Sequence, residues 1–447
     1  MSFDLPKLPD GWEYRPLDQL SKPSSVTYGV VQPGSALSAG VPIIRVNNFR
    51  DGRIELADLM RIDPAIEGKY GRTRLKGGEV LLTVVGSVGQ VAVAPKTVSG
   101  FNVARAVAVI HPEDHVEPEW IALCLRSPLS QHLLGSRANT TVQTTINLKD
   151  LRALPIPLPP ARERREIASV MSALDDRITL LRETNATLEA IAQALFNSWF
   201  VDFDPVRAKA EGRQPNGMDA TTAALFPGSF EESELGLVPK GWMSRPIYDL
   251  ATYINGAAYK AFEPNAERRG LPIIKIAELK AGVSAQTAFS DVAMPAKYLI
   301  ETGDILFSWS GNPDTSIDTF VWQHAPALLN QHIFRVLPHE AFERSFVLQM
   351  LRNLKPVFAE LARNKQTTGL GHVTVADLKR LRVVHPPQKV IEQFNTLAVP
   401  IHQMIFGNEQ RAQTLTQLRD TLLPRLISGQ LRLPESAGLL NDRDIAQ

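Results

Sequence analysis

Cysteine is almost absent: Cys124 is the single one among 447 residues. A lone thiol cannot close an internal disulfide, which makes a reducing cytoplasm the expected compartment. Cys124 lies in the apolar run Trp120-Ile121-Ala122-Leu123-Cys124-Leu125, where a small buried hydrophobe is the natural reading. No stretch approaches the ~18 uninterrupted apolar residues that would mark a membrane span. Met1 to Gly11 has no basic segment followed by an apolar one, so no export signal is expected there. Neither sign of charge is in excess, with 48 Lys and Arg against 47 Asp and Glu. A freestanding nucleic-acid-binding domain is often far more basic, so such a role needs clustered charge or partners that share the phosphate contacts.

Catalytic signatures are missing too. There is no Gly-x-x-x-x-Gly-Lys-Ser/Thr phosphate loop. Asp204-Pro205-Val206 and Asn312-Pro313-Asp314 do not match the Asn/Asp-Pro-Pro-Tyr/Phe motif of amino-methyltransferases. Gly86-Ser87-Val88-Gly89 is too short to count as a cofactor loop, and no Asp…Glu-x-Lys nuclease pattern stands out. His111 and His115 have metal-like spacing, but Pro112 and Glu113-Asp114 between them read as a surface turn.

What the chain does have is an internal duplication. Leu8-Pro9-Asp10-Gly11-Trp12 returns as Val238-Pro239-Lys240-Gly241-Trp242, Arg15-Pro16-Leu17 as Arg245-Pro246-Ile247, and Gly40 to Val46 as Gly270 to Ile276, all offset by 230 residues. With small gaps the match continues through Gly78-Glu79-Val80-Leu81-Leu82 and Gly303-Asp304-Ile305-Leu306-Phe307, and through Asp150 to Leu154 and Asp377 to Leu381. Pro159-Pro160 and Pro386-Pro387 close each copy. Each copy therefore reads as an α/β unit followed by a long helix. Strand-like runs cover Val80 to Val85, Val103 to Ile110 and Ile305 to Trp309; helical ones cover Trp120 to Leu134 and Phe346 to Leu361.

After Pro160 the apolar residues Ile167, Met171, Leu174, Ile178, Leu181, Asn185, Leu188, Ala192 and Leu195 alternate steps of four and three, the seam of a coiled coil. The second copy gives Phe394, Ala398, Ile401, Ile405, Asn408, Ala412, Leu415, Arg419 and Leu422. It is weaker: Pro400 predicts a break near Val399, and Arg419 occupies an apolar position. Each seam holds one asparagine, and antiparallel pairing would set Asn185 beside Asn408. A helix of ~40 residues is ~60 Å long, so a tandem duplication joined by two such helices predicts a pseudo-twofold object with two reading heads at a fixed separation.

The pattern resembles the specificity (S) subunits of Type I restriction-modification systems. The resemblance is carried by Leu8 to Trp12, by Leu154-Pro155-Ile156-Pro157-Leu158-Pro159-Pro160, by Ala194 to Val206 (Ala-Leu-Phe-Asn-Ser-Trp-Phe-Val-Asp-Phe-Asp-Pro-Val), and by Leu423-Pro424-Arg425-Leu426-Ile427-Ser428-Gly429. It implies an α+β protein with two similar α/β target recognition domains, at 1–158 and 236–386, and spacer helices at 159–201 and 387–430 that form an antiparallel coiled coil. A connecting segment covers 202–235 and a tail 431–447. It further implies a non-catalytic subunit that reads a bipartite target on double-stranded DNA and docks adenine methyltransferase subunits, typically two, with restriction subunits where present. S-adenosylmethionine is expected on the methyltransferase, and no cofactor on this chain. A protein-binding scaffold without DNA readout is the competing reading.

Candidate DNA contacts follow charge and hydrogen-bonding capacity. Lys69, Arg72, Arg74 and Lys76 form a basic cluster with no acid inside it. The stretch from Leu361 to Arg382 sets Arg363, Lys365, Lys379, Arg380 and Arg382 against Asp377 alone. Two polar loops occupy equivalent places in the repeat. The first offers Arg137, Asn139, Thr140 and Gln143; the second offers Arg363, Lys365, Gln366, Thr367 and His372. Arg45 and Asn47, with the counterpart Lys275, come next. Ser87, Gln90, Asn102, Trp309, Asn312, Asn330 and Gln331 are weaker candidates, for which a strand-core role competes. The aromatic cluster Trp199, Phe200 and Phe203 reads as packing at the helix end.

Overall fold

The computed structural model describes residues 5–136, 145–366 and 369–433. The chain divides into two compact units, 1–179 with 413–447, and 180–412.

In the first unit, strand Glu13–Pro16 runs antiparallel to Pro155–Leu158, with Glu13 opposite Leu158. In the second, Met243–Pro246 pairs with Arg382–His385 in the same way, Met243 opposite His385. Each pair brings the start of a repeat to its end. The repeated Pro-x-Gly-Trp segment ahead of it is a tight turn. Trp12 N–H donates to the Pro9 carbonyl (3.2 Å) and Trp242 N–H to that of Pro239 (3.0 Å). Gly11 and Gly241 sit at φ of 83° and 82°, a conformation that a side chain disfavours and the third position of this turn requires. Both tryptophans are buried.

A four-stranded sheet follows in each unit, in matching order. The first runs Thr27–Tyr28, Val107–Ile110, Val80–Thr83, Val91–Val93; the second runs Ala251–Asn255, Ile333–Pro338, Ile305–Ser308, Asp318–Val321. A smaller sheet in each unit contains one parallel pair, Val41–Ile44 with Asn102–Val103 and Leu271–Ile274 with Ala327–Leu329. The helical runs foreseen as single helices are each divided. Pro118–Arg126 and Pro128–Gly135 part at Ser127, since the residue before a proline is driven out of helical geometry. Arg344–Asn353 and Lys355–Arg363 part at Leu354, with Pro356 in the first turn of the second piece.

The first long helix spans Ala161–Phe200 and the second Gln388–Ile427, 40 residues each. The second shows no break at Pro400. That residue is exposed, so the carbonyl it leaves unpaired one turn back is on the solvent side, where water satisfies it. Within the second unit the helices run antiparallel: Phe196 meets Phe394, while Asn408 Nδ2 donates to Asn185 Oδ1 (3.0 Å). Asn185 Nδ2 in turn donates to the Ile405 carbonyl at 3.1 Å. The expected asparagine pairing is present. Within the first unit, Arg419 does not leave a hole in the seam: its guanidinium reaches Asp175 on the first helix at 3.0 Å, and Arg126 reaches the same carboxylate at 3.0 Å.

One core joins Trp12, Trp120, Ile167, Met171 and Leu426. The other gathers Phe196, Trp199, Phe200, Phe203, Trp242, Phe346 and Phe394, so the aromatic cluster after the first seam is packing. Cys124 is fully buried, and burial pushes its thiol pKa up. Among the described residues no helix is long and apolar enough to cross a membrane.

Candidate nucleic-acid interface

Each unit contains the same backbone junction, built from the central sheet, the parallel pair and the end of the polar loop. In the first unit it centres on the turn Ala104-Arg105-Ala106-Val107, closed by Val107 N–H to the Ala104 carbonyl (2.9 Å). In the second it is Asn330-Gln331-His332-Ile333, closed at 3.2 Å by the equivalent bond. Ala104 N–H donates to Ile44 and Arg105 N–H to Val30; Asn330 N–H donates to Ile274 and Gln331 N–H to Ala257. The next residue accepts: Val84 N–H donates to Ala106 and Trp309 N–H to His332. Finally Ile146 N–H donates to Val84 and Val373 N–H to Trp309, which fastens the end of each polar loop to the junction.

These bonds are made by main chain alone, so they specify no side chain. One position is nevertheless constrained. A Cβ on Gly29 would lie 2.0 Å from the Val103 carbonyl oxygen, and one on Gly256 would lie 2.2 Å from that of Asn330. The matched glycines let two backbones approach where nothing larger fits.

The side chains that the shared frame presents differ between units. Arg105 and Ala106 hold the two central turn positions in the first, Gln331 and His332 in the second. Tyr28 corresponds to Asn255 in the repeat, and Val84 to Trp309. In the second unit the side chains form a chain of contacts. Trp309 Nε1 donates to Asn255 Oδ1 (3.1 Å), the Trp309 ring packs on His332 with centroids 5.7 Å apart, and Gln331 Nε2 lies 3.3 Å from His332 Nε2. In the first unit the Tyr28 hydroxyl donates to the Ile146 carbonyl at 3.2 Å. Arg105 is exposed, and its side chain makes no hydrogen bond or ion pair among the described residues.

The sequence candidates fall around this junction to different degrees. Arg45 and Lys275 directly follow the strand that receives the turn. Arg45 is 3.8 Å from Asp58, Asn47 beside it is exposed, and Lys275 Nζ lies 5.2 Å above the Tyr259 ring. His372 pairs with Ser310 on the short strand leading out of the junction. Gln366 is exposed; Arg363 binds Asp314 at 2.6 Å, and Lys365 binds Asp377. Burial raises the pKa of the Asp377 carboxyl, yet Lys365, Thr374 and Arg380 together hold it well below the usual carboxylate range. Arg137, Asn139, Thr140, Gln143 and Thr367 lie outside the described residues.

Arg72 and Lys76 are exposed, with no ion pair among the described residues. Arg74 instead binds Glu67, and this contact, ahead of burial and an Asn102 hydrogen bond, sets the direction in which the Glu67 pKa is lowered. Asn102 is fully buried, held by Thr73 at 2.7 Å and by Glu67 at 2.9 Å. It belongs to the frame, as does the nearly buried Asn330. Ser87 and Gln90 flank a hairpin fastened by Thr83, and Asn312 accepts two backbone N–H groups of its own loop. Tyr28, Arg105, Asn255 and His332 were not singled out by sequence reasoning. The signal was present: an arginine interrupts the apolar run from Val103 to Ile110, and Gly29 and Gly256 recur at nearly the repeat offset.

Known proteins bear on this arrangement. Residues 9–190 and 239–421 each match the family model described as Type I restriction modification DNA specificity domain. The Type I restriction enzyme MjaIX specificity subunit of Methanocaldococcus jannaschii is 24% identical over 365 residues, covering 80% of this chain and 78% of that one. The HindI specificity subunit of Haemophilus influenzae is 25% identical over 404 residues, covering 80% and 87%. The EcoBI specificity subunit of Escherichia coli is 32% identical over 198 residues, 42% of each chain. In fold, the chain is similar to the Type I restriction-modification S subunit of M. genitalium, with a TM-score of 0.54 and 15% identity, covering 94% of this chain and 97% of that one. With both copies matched, the chain belongs to the Type I restriction-modification DNA specificity family.

Proposed function

We propose that this chain is the DNA specificity subunit of a Type I restriction-modification complex. Each unit reads one half of a split target on double-stranded DNA, and the chain carries no catalytic step itself. The observation behind this reading is the duplicated junction. One frame, fixed through main-chain bonds, occurs twice and presents different polar side chains each time. Two copies of a scaffold or an enzyme site would be expected to keep their side chains alike; two readers of different sequences would not. Arg45, Asn47, Arg72, Lys76, Lys275, Gln366 and the loop residues Arg137, Asn139, Thr140, Gln143 and Thr367 supply phosphate and base-edge contacts in this proposal. Arg363, Lys365 and His372 complete the second head. The near-neutral charge fits a complex in which methyltransferase subunits, two in this proposal, dock on the long helices and share the phosphate contacts. Those subunits bind S-adenosylmethionine and methylate adenine.

The test is an exchange of residues 1–155 for those of a relative, followed by sequencing of methylated adenines in a host carrying the chain with its methyltransferase. One half of the target changes and the other stays. An unchanged target, or loss of both halves with methylation retained, refutes the reading. A scaffold without DNA readout would leave the complex indifferent to sequence in a gel-shift titration.

A further inference from the structure

The central positions of the junction turn carry a finer consequence, which rests on the DNA-reading role proposed above. We infer that the first central residue of each turn specifies one base: Arg105 selects guanine in one half of the target, and Gln331 selects adenine in the other.

The two residues are equivalent by their backbone bonds, Arg105 N–H to Val30 (2.8 Å) and Gln331 N–H to Ala257 (2.9 Å). They are not equivalent in what they offer. Arg105 is exposed and has no acidic partner among the described residues, so its five N–H donors are uncommitted. In the major groove only guanine presents two adjacent acceptors, O6 and N7, which a guanidinium fork engages together. The side chain of the neighbouring Ala106 has no polar atom to compete for that fork.

Gln331 carries both a donor group and an acceptor. One Nε2 hydrogen faces His332 Nε2 at 3.3 Å. That leaves the second Nε2 hydrogen and the Oε1 lone pairs, which complement N7 and the N6 amino group of adenine. His332 is held by the Trp309 ring, and Trp309 by Asn255. The amide is thus aimed before DNA arrives, which spares the cost of ordering a long side chain on binding. Asn255, Trp309 and His332 are positioning residues here, and Gln331 makes the contact.

The experiment maps methylated adenines genome-wide for the intact complex of this chain with its methyltransferase. In the parent complex, one half of the target contains a guanine and the other an adenine at the governed position. Arg105→Gln makes that guanine degenerate or converts it to adenine, lowers methylation at the original sites roughly 10- to 100-fold, and leaves the other half intact. Gln331→Arg does the converse. Arg105→Met keeps the aliphatic length but lacks every donor, so the guanine requirement relaxes while affinity for non-specific DNA stays within about threefold. It also serves as the deciding variant if Arg105→Gln fails to fold.

An unchanged target with Arg105→Met overturns the inference, as does an even loss at all sites with Arg105→Gln, the mark of a phosphate contact. A parent complex that methylates with no split target would remove the underlying reading as well. A split target unmoved by these substitutions sinks this inference alone.

Discussion

Asp175 offers a sharp test of how the first unit is held together. Its two carboxylate oxygens divide between Arg126, at the end of helix Pro118–Arg126, and Arg419, on the second long helix, each at 3.0 Å. The side chains of Asp175, Arg126 and Arg419 are 17%, 26% and 23% exposed. These pairs lie between the surface case, ~0–1 kcal/mol each, and the buried case, where removing one partner costs ~3–5 kcal/mol. Arg419 keeps a second partner in Asp420 at 2.7 Å, so its share is the smaller. Arg126 has no other acid among the described residues. Asp175→Asn, which preserves shape and removes charge, should cost about 2 kcal/mol in total, a midpoint fall of ~4–8 °C for a unit of this size. Scanning calorimetry of the full chain measures it. Combining Asp175→Asn with Arg126→Met should recover part of the loss, because the stranded cation is then gone. A midpoint within 1 °C of the parent would show that these pairs are solvated and that Arg419 is tolerated in the seam for another reason.

Further expectations concern the second unit. Asn185→Ala removes the acceptor of the Asn408 amide and should destabilise by ~1–2 kcal/mol, whereas leucine at both positions should raise the melting temperature while relaxing helix register; thermal melts compare the two. Gly256→Ala drives a methyl group onto the Asn330 carbonyl and should cost roughly 3 kcal/mol or more, read by urea unfolding, with selective loss of one half-site in DNA binding. Burial, with Arg352 and Arg344 adding to it, pushes the His402 pKa from 6.5 down to about 4. The unfolded chain therefore binds a proton that the folded chain refuses between those values. The resulting stability is complete above pH 6.5 and is lost as the pH falls toward 4, by up to ~1.4 kcal/mol per pH unit. His402→Gln, which keeps a hydrogen-bonding group toward Gln349, should flatten that part of the pH–stability profile.

The duplication, the seams and the asparagine pair were legible in the sequence because each depends on spacing along the chain, and spacing survives folding unchanged. Arg419 looked like a defect since its counter-ion, Asp175, comes from a segment some 240 residues away. Pro400 looked like a break because periodicity does not reveal which face meets water; on the exposed face, the missing bond costs little. The junction was the hardest to see. Its turn interrupts a run from Val103 to Ile110 that reads as one strand, and the bonds that define it tie that turn to four other segments remote in sequence. The polar loops were visible as composition; their attachment to Val84 and Trp309 was not.

The short pairing of Glu13–Pro16 with Pro155–Leu158, repeated at Met243–Pro246 with Arg382–His385, has a consequence for how such proteins change. It cinches the entrance and exit of each module side by side, so the chain leaves and rejoins the long helices at one place. A recombination event that cuts just outside the cinch moves a whole module, and the new interior contacts are confined to where its core meets the long helices, as at Ile167, Met171 and Leu426. A family of targets can then be shuffled from a small stock of halves, faster than point substitution would build them.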